Sequence, residues 1–264
     1  MTETDVSKLL VEPAPDGFTE RVLLAVGLAD RYVVRASPVG DVAVAHNAAG
    51  ISACRVLDEV GGTEAFEAWF AARFGRPAVA DGAPPRALVA AVDALLAGQR
   101  PRKLPAFDLR SVTPFARDVL TAASTIPPGQ VRPYGWVSAR IGKPGAVRAV
   151  GSALGNNPVP LLIPCHRVVR SDWRVGQYAF GPETKRALLQ SEGVDPDELD
   201  RLADEGVRYV GSRTTSIYCH PTCVDGRRVQ ARNRVTFSDA NAAARAGYRP
   251  CKHCEPLPAT VPSG

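Results

Sequence analysis

Residues 131–169 read VRPYGWVSARIGKPGAVRAVGSALGNNPVPLLIPCHRVV, and the pattern in this stretch decides the fold of the centre of the chain. It predicts one short helix from Trp136 to Ile141 and a second over 146–154, because apolar residues recur at helical spacing on both sides of a GKPG turn at 142–145. Two short helices joined by a tight glycine turn are typical of a helix-turn-helix.

The second of these helices has two different faces. Val147, Val150 and Leu154 form an apolar stripe that we expect to face the core. Arg148 points away from that stripe, which fits either an ordinary solvated arginine or a residue that meets a partner. Its neighbours are small and permit close approach of the backbone to a partner: Ala149, Gly151 and Ser152.

A longer helix is predicted just before this motif. Thr113 is a suitable N-cap and Pro114 a suitable first helical residue, so the pair is a strong helix start. The sequence Pro-Pro-Gly at 127–129 ends that helix. We therefore expect a second structural unit to begin near residue 111.

The N-terminal part of the chain predicts a separate α+β unit. Apolar and polar residues alternate over 31–56, which predicts two or three strands of an antiparallel meander. Helical spacing follows over 64–74 and 87–96. The proline- and charge-rich stretch 98–107 is typical of a linker, so residues 1–110 are expected to form one domain.

Length and composition exclude several classes of protein. With 264 residues the chain exceeds the usual size of a single core, so two or three domains are expected. Its 45% hydrophobic and 22% charged content is that of a globular protein. No apolar run approaches the length of a membrane span, and the first thirty residues lack a signal-peptide pattern. We expect no membrane contact and a cytoplasmic location.

The charge of the chain is unevenly distributed. Residues 111–170 contain seven Lys/Arg and one Asp/Glu, and residues 201–264 contain ten and five. The intervening 171–200 is acidic, with three Lys/Arg against seven Asp/Glu. Two separate basic segments in an otherwise balanced chain indicate a polyanionic partner.

A reactive cysteine is predicted at Cys165. Cys165, His166 and Arg167 interrupt the apolar run 159–169, and such local inconsistency is common at functional sites. The alternative is a buried cysteine beside a hydrogen-bonded histidine. Because a thiol with its ordinary pKa is already roughly 7% ionised near neutral pH, full ionisation gains only about fourteenfold. A difficult transfer therefore also needs a proton donor, and Tyr134 is a candidate.

The C-terminal cysteines predict a zinc site. Their spacing, Cys-x3-Cys and then Cys-x2-Cys after 27 residues, is that of a four-thiolate zinc centre: Cys219, Cys223, Cys251 and Cys254. His220 and His253 lie inside the two pairs and are not expected to be ligands, since four thiolates complete a tetrahedron. Cys54 is expected to be a buried apolar residue.

The central segment resembles the active domain of the O6-alkylguanine-DNA alkyltransferases, also called methylated-DNA–protein-cysteine methyltransferases. The blocks that carry the resemblance occur in order over about eighty residues: Tyr134, RAVG at 148–151, NNPVP at 156–160, PCHRV at 164–168, the GxY at 176–178 and SEG at 191–193.

This resemblance implies stoichiometric repair of double-stranded DNA carrying alkylated guanine. The helix-turn-helix would enter the minor groove and present Arg148, Ala149, Gly151 and Ser152. Arg148 would take the place of the damaged nucleotide, whose base would enter a pocket beside Cys165. Flipping a base costs a few kcal/mol and is easiest where pairing is already damaged.

The same resemblance implies roles for the residues around the thiol. Cys165 would attack the O6-alkyl carbon, and His166 would take the thiol proton through a water molecule. Glu192 would orient His166, Tyr134 would hydrogen-bond the leaving guanine, and Asn157 would fix the active-site loop. The S-alkylcysteine has no route back to thiolate, so one protein would repair one lesion.

The rim of the pocket departs from the family pattern. Tyr178, Ala179 and Phe180 are expected to line the substrate pocket, and the family usually carries Gly or Trp near this point. A bulky Phe180 could narrow the pocket, which predicts weak reaction with benzylated guanine.

The C-terminal segments 213–223 and 241–251 resemble the metal-binding domain of the adaptive-response protein Ada. The resemblance implies that zinc-bound Cys219 accepts a methyl group from a backbone methylphosphotriester, while Arg213 and Arg249 grip phosphates. Four thiolates around Zn²⁺ carry a net charge of −2, so methylating one sulfur should raise DNA affinity. The module follows the alkylguanine domain instead of preceding it, which favours repair over regulation.

The expected fold is α+β, with an N-terminal antiparallel-sheet scaffold domain (1–110), a helical, winged-helix-like catalytic domain (111–198) and a zinc-stapled domain (205–258). The protein is expected to be a monomer. The acidic residues between the last two domains are expected to be a spacer. Two alternatives remain: a lesion sensor whose zinc domain is purely structural, and a Cys-His hydrolase. The first would lack a reactive cysteine, and the second does not explain the basic segments. Cys219 is either a methyl acceptor or a DNA-anchoring zinc ligand only.

Overall fold

The structure, a computed structural model, describes residues 18–257. Residues 1–17 of the predicted N-terminal domain and residue 258 of the predicted C-terminal domain lie outside that range. The described chain is α+β and has three packed units: a sheet with helices, a mainly helical centre and a small second sheet that carries four cysteines. None of the helices within 18–257 is long and apolar enough to cross a bilayer.

The N-terminal unit is a four-stranded sheet with helices. Its strands are β1 (Asp30–Ser37), β2 (Gly40–Asn47), β3 (Gly50–Val56) and β4 (Ala78–Ala80). Its helices are α1 (Phe18–Ala25), α2 (Leu57–Val60), α3 (Thr63–Phe74) and α4 (Arg86–Leu96). The order is β3-β2-β1-β4; β1, β2 and β3 are antiparallel and β4 runs parallel to β1.

The two faces of this sheet bury different partners because side chains alternate along each strand. One face packs against Phe66 and Phe70 of α3, which are fully buried. The other face, with Val42, Val44 and Cys54, joins the core of the central unit. The backbone N–H of Cys54 also donates to the carbonyl of Pro158 at 2.9 Å. The sheet thereby supports the loop that precedes the reactive segment.

The central unit contains the predicted helix-turn-helix. Its elements are α5 (Pro114–Ser124), β5 (Arg132–Pro133), α6 (Tyr134–Arg140), α7 (Val147–Gly155), β6 (Val168–Val169) and α8 (Pro182–Ser191). The side chain of Thr113 accepts a hydrogen bond from the Ala116 N–H at 3.2 Å, so it caps α5 as predicted. Strands β5 and β6 pair in parallel, with Arg132 opposite Val168.

The apolar stripe of α7 differs from the prediction at one position. Val150 and Leu154 are buried, and Ala153 completes the buried face. Val147 is 41% exposed, so its assignment to the core was wrong. Val147 lies in the first turn, at the edge of the stripe, where none of the described elements covers it.

The acidic residues 195–205, expected to act as a spacer before the cysteine module, contain a helix. This helix is α9 (Pro196–Asp204), whose N-terminus is capped by the side chain of Asp195. Leu199 and Leu202 lie three residues apart on one face and are buried against Trp173 and other apolar residues. Two apolar residues at helical spacing are enough to dock this otherwise acidic helix.

The C-terminal unit is a second small sheet. Its elements are β7 (Tyr209–Ser212), β8 (Ile217–Cys219), α10 (Val224–Arg227), β9 (Arg234–Phe237), α11 (Ala240–Arg245) and β10 (Arg249–Pro250). The strand order is β10-β8-β7-β9. The unit contacts the central one directly, since the indole N–H of Trp136 donates to the carbonyl of Glu255 at 2.9 Å.

Candidate active site and metal centre

The predicted reactive trio lies on one buried turn. Cys165–Arg167 form a single 3-10 turn between Pro164 and β6. Val159 and Val168, which flank the turn, are fully buried. Cys165 is 6% exposed, and it forms part of the wall of a cavity, so its sulfur is shielded without being sealed.

Asn157 holds the loop and the thiol together. Its Nδ2 donates to the carbonyl of Ile163 at 3.1 Å and to Cys165 Sγ at 3.3 Å. Its Oδ1 accepts from the Val159 N–H at 2.9 Å. A side chain that both donates and accepts can join two loop strands in this way. The position expected to fix the active-site loop therefore has hydrogen bonds suited to that task.

His166 and Glu192 form a buried pair that also includes Arg167. His166 Nε2 lies 2.8 Å from Glu192 Oε1. Arg167 donates to both carboxylate oxygens of Glu192, at 2.8 and 2.7 Å. All three side chains are at most 5% exposed. Because the carboxylate accepts from Nε2, His166 Nδ1 is left as an acceptor, and it has no hydrogen-bond partner among residues 18–257.

The protonation states follow from burial and these contacts. Burial raises the pKa of Cys165, while the Asn157 hydrogen bond and the charge of Lys185 oppose the shift. Burial lowers the pKa of His166, and its contacts with Glu192 oppose that shift. At neutral pH the resting site therefore holds a thiol beside a neutral imidazole, which is the state in which the imidazole can accept a proton.

The cavity beside Cys165 has the size of a ligand pocket. Its volume is about 400 Å³, within the usual range for small-molecule sites. The lining residues are Tyr134, Gly151, Leu154, Gly155, Cys165, Gln177, Tyr178 and Ala179. Tyr178 and Ala179 line the cavity as expected, but Phe180 does not; its ring is edge-on to Tyr178, with centroids 5.3 Å apart. Any narrowing by Phe180 would thus act through Tyr178, and weak reaction with benzylated guanine stays a prediction.

The face of α7 that meets solvent carries the predicted DNA-contacting residues. Arg148, Ala149 and Ser152 are exposed, and Gly151 lies where the helix borders the cavity. Tyr134, the first residue of α6, approaches the same wall, since a Cβ on Gly151 would lie 3.9 Å from its ring. The structure thus brings the helix surface and the thiol to one opening.

Two buried cations near the thiol, Arg167 and Lys185, were given no predicted role. Arg167 neutralises Glu192, as described above. Lys185 of α8 is fully buried, and its Nζ donates to the carbonyl of Val168 at 2.6 Å. Burial lowers the pKa of Lys185 to about 8. One signal in the sequence could have indicated the buried charge of Lys185: this lysine lies between apolar residues on the inward stripe of α8.

The four C-terminal cysteines fit a tetrahedral zinc ion. Cys219, Cys223, Cys251 and Cys254 are buried, and their sulfur atoms lie within 4.8 Å of one another. Tetrahedral Zn–S bonds of about 2.3 Å place sulfur atoms about 3.8 Å apart. The N–H groups of His220 and His253 point to Cys254 and Cys251 at 3.4 and 3.3 Å, an arrangement that favours thiolates. The module binds one zinc ion through these four cysteines.

A second cavity exposes one side of this cluster. Its volume is about 530 Å³, and it is lined by Cys219 and Cys251 together with Arg228 and polar residues of the β7–β8 turn. Arg213 and Arg249 are exposed but do not line the cavity. Arg228, which sequence analysis did not single out, is the basic side chain nearest this opening.

Two domain families match the chain in the order that the structure shows. Residues 114–194 match the DNA-binding domain of 6-O-methylguanine DNA methyltransferase. Residues 199–256 match the metal-binding domain of Ada. The fold and site thus define a protein that joins a methyltransferase-type DNA-binding domain to an Ada-type zinc domain.

Individual relatives agree with this class. A methylated-DNA–protein-cysteine methyltransferase of Salmonella typhimurium is 48% identical over 81 residues, 31% of this chain and 47% of that protein. One of Mycolicibacterium paratuberculosis is 41% identical over 111 residues, 41% of this chain and 67% of that protein. The structure of Mycobacterium tuberculosis OGT in complex with DNA superposes with a TM-score of 0.50 at 32% identity, covering 65% of this chain and 98% of that one.

The chain belongs to the methylated-DNA–protein-cysteine methyltransferase family. The matching segment spans about half the length of the first of these relatives. The zinc domain lies C-terminal to the methyltransferase domain.

Proposed function

We propose that this protein repairs O6-alkylguanine in double-stranded DNA by transferring the alkyl group irreversibly to Cys165. The observation that carries the proposal is the position of the Cys165 thiol, on the wall of a cavity large enough for a nucleobase and next to α7, whose outer face is exposed. An extrahelical guanine in that cavity would meet the sulfur directly. Arg148, exposed on α7, would fill the space that the base leaves in the duplex.

The reaction is an in-line displacement at the alkyl carbon. The bond between sulfur and carbon forms while the bond between carbon and O6 breaks. The proton of Cys165 passes through water to Nδ1 of His166, whose imidazolium form Glu192 stabilises. Tyr134 donates a proton to the departing guanine and is reprotonated from solvent, while His166 returns its proton to solvent. Guanine is restored and S-alkylcysteine remains.

The buried resting thiol explains how reactivity is restricted. Because the pKa of Cys165 is raised and its sulfur is shielded, the DNA-free protein should react slowly with solution alkylating agents. Asn157 fixes the sulfur at the cavity wall, so the substrate is positioned before the proton moves. All these groups come from one chain, so a monomer suffices.

We propose a second acceptor at the zinc centre. Cys219 lines an open cavity that also holds Arg228, whose guanidinium would bind a DNA phosphate. The bound zinc ion keeps the four sulfur atoms as thiolates and leaves them electron-rich. Cys219 would take the methyl group of a methylphosphotriester: the bond between sulfur and carbon would form as the bond between carbon and the phosphate oxygen breaks, and a phosphodiester anion would leave. Arg213 and Arg249 would contact flanking phosphates. A lesion sensor would need none of this chemistry.

The proposed function is tested by a stoichiometric repair assay. Full-length protein is mixed with duplex DNA that contains one O6-methylguanine, and the nucleosides are separated after digestion. The expected result is one restored guanine per protein molecule, with none in Cys165→Ser. Binding without restoration of guanine would identify a lesion sensor instead.

The second acceptor needs a different substrate. The same protein is incubated with DNA carrying a methylphosphotriester, and peptides are mapped by mass. Methyl on the Cys219 peptide supports the proposal. Methyl on neither zinc-site peptide would leave the module as a DNA anchor.

A further inference from the structure

Arg132 is a buried cation that has no carboxylate partner among residues 18–257. It opens β5, two residues before Tyr134, and is 3% exposed. Its guanidinium donates to the carbonyl of Val131 at 2.9 Å and to Gln130 Oε1 at 2.8 Å, both uncharged groups. Its Nε has no acceptor in the part of the chain that the structure describes. A buried charge that nothing neutralises is strongly unfavourable.

The negative charge that faces Arg132 comes from the other unit. Burial lowers the pKa of Arg132, and attraction to the cysteines opposes this shift: Cys254, Cys223, Cys251 and Cys219. Four thiolates with one Zn²⁺ carry a charge of −2, and one guanidinium reduces the sum to −1. A buried cation and a buried anionic cluster, each unfavourable alone, therefore compensate each other across the interface.

Hydrogen bonds between the two units fix the interface around Arg132. The Val131 N–H donates to Thr222 Oγ1 at 3.0 Å, next to the ligand Cys223. Arg227, in the helix that follows Cys223, donates to the carbonyl of Gly129. The guanidinium of Arg132 also lies 5.6 Å from the ring centre of Trp136. The backbone just before Arg132 is thus held against the cysteine module, while Trp136 of its own unit lies beside the guanidinium.

We propose that Arg132 is the buried counter-cation of the four-cysteine zinc site in the neighbouring unit, so that zinc binding and docking of the two units strengthen each other. Strand β5 directly precedes Tyr134 and pairs with β6, the strand that follows the reactive turn. The same docking therefore holds β5 in place beside both parts of the active site. The inference does not depend on whether Cys219 accepts a methyl group.

The first test measures zinc affinity of full-length variants by competition with a chromogenic chelator. Arg132→Met removes the charge and keeps apolar volume, whereas Arg132→Lys keeps the charge. We expect zinc affinity to fall at least about tenfold in Arg132→Met and less than about threefold in Arg132→Lys. The matched control is Arg117→Met, because Arg117 is an exposed arginine of the same unit, on α5. Unchanged affinity in Arg132→Met overturns the proposal.

A second test needs no variant, in case Arg132→Met does not fold. Zinc is removed from the wild-type protein with a chelator, and hydrogen exchange is followed by mass spectrometry. Because coupling between two events is reciprocal, the amides of residues 131, 132 and 134–136 should exchange at least about tenfold faster without zinc. Amides of β2, far from the interface, serve as the internal control. Equal exchange at residues 131, 132 and 134–136 with and without zinc overturns the proposal.

Discussion

Replacing Glu192 tests whether its negative charge, and not only the shape of its side chain, is needed for folding and repair. Burial opposes ionisation of Glu192, but hydrogen bonds from His166 and Arg167 outweigh it and bring its pKa from 4.5 to about 2. A shift of this size corresponds to about 3 kcal/mol of folding free energy. Since the folded pKa is the lower one, this contribution is complete above about pH 4.5 and is lost as the pH falls toward about 2.

Glu192→Gln keeps the shape of the side chain and removes its charge. Arg167 then becomes a buried cation without a counter-ion, so the free energy of unfolding should fall by about 3 kcal/mol at pH 7. His166 loses the partner that would stabilise its protonated form. We therefore expect the single-turnover rate of guanine restoration to fall by about 100-fold or more.

Two assays and one control check this prediction. Denaturant unfolding at pH 7 and pH 3 gives the stability, and quenched-flow repair of duplex DNA gives the rate. Glu183→Gln is the control, because Glu183 is exposed in the first turn of α8, the helix that Glu192 directly follows, and its replacement should change stability by less than about 1 kcal/mol. If Glu192→Gln matched this control in both assays, the ion pair would have no part in folding or repair.

Three further changes test separate parts of the account. Asn157→Ala removes the hydrogen bond that lowers the pKa of Cys165, so the pH profile of alkyl transfer should move to higher pH and stability should fall by about 1–3 kcal/mol; unfolding and pH–rate measurements check this. Arg148→Ala should leave stability unchanged and slow repair of duplex DNA by at least about tenfold, while reaction with a free alkylated base stays the same. Thr113→Ala removes the cap of α5 and should cost about 1 kcal/mol of stability without changing the alkyl acceptor, as measured by denaturation and repair stoichiometry.

Local sequence signals predicted most of the framework. Thr113 and Pro114 determine a helix start by their own chemistry, so the beginning of α5 needed no tertiary information. The four cysteines likewise carry their spacing in the sequence, and the structure brings them together. The exposure of Val147 could not be predicted from local signals, because it depends on which neighbouring element covers the first turn of α7.

Long-range electrostatics could not be predicted in the same way. Arg167 pairs with Glu192, which lies 25 residues further along the chain, and no periodic pattern connects the two positions. Arg132 faces cysteines more than eighty residues away, in another unit. Such contacts form only when separate elements pack against each other. From the sequence alone, a charged residue in an apolar stretch indicates a buried charge but does not identify its partner.

The central claim is that the Cys165 sulfur acquires the alkyl carbon of damaged DNA. It is tested most directly by peptide mass spectrometry of the full-length protein after reaction with an equimolar duplex that contains O6-methylguanine. The account predicts the added mass of one methyl group on the peptide that contains Cys165 and on no other cysteine peptide. Full restoration of guanine with an unmodified Cys165 peptide would contradict it.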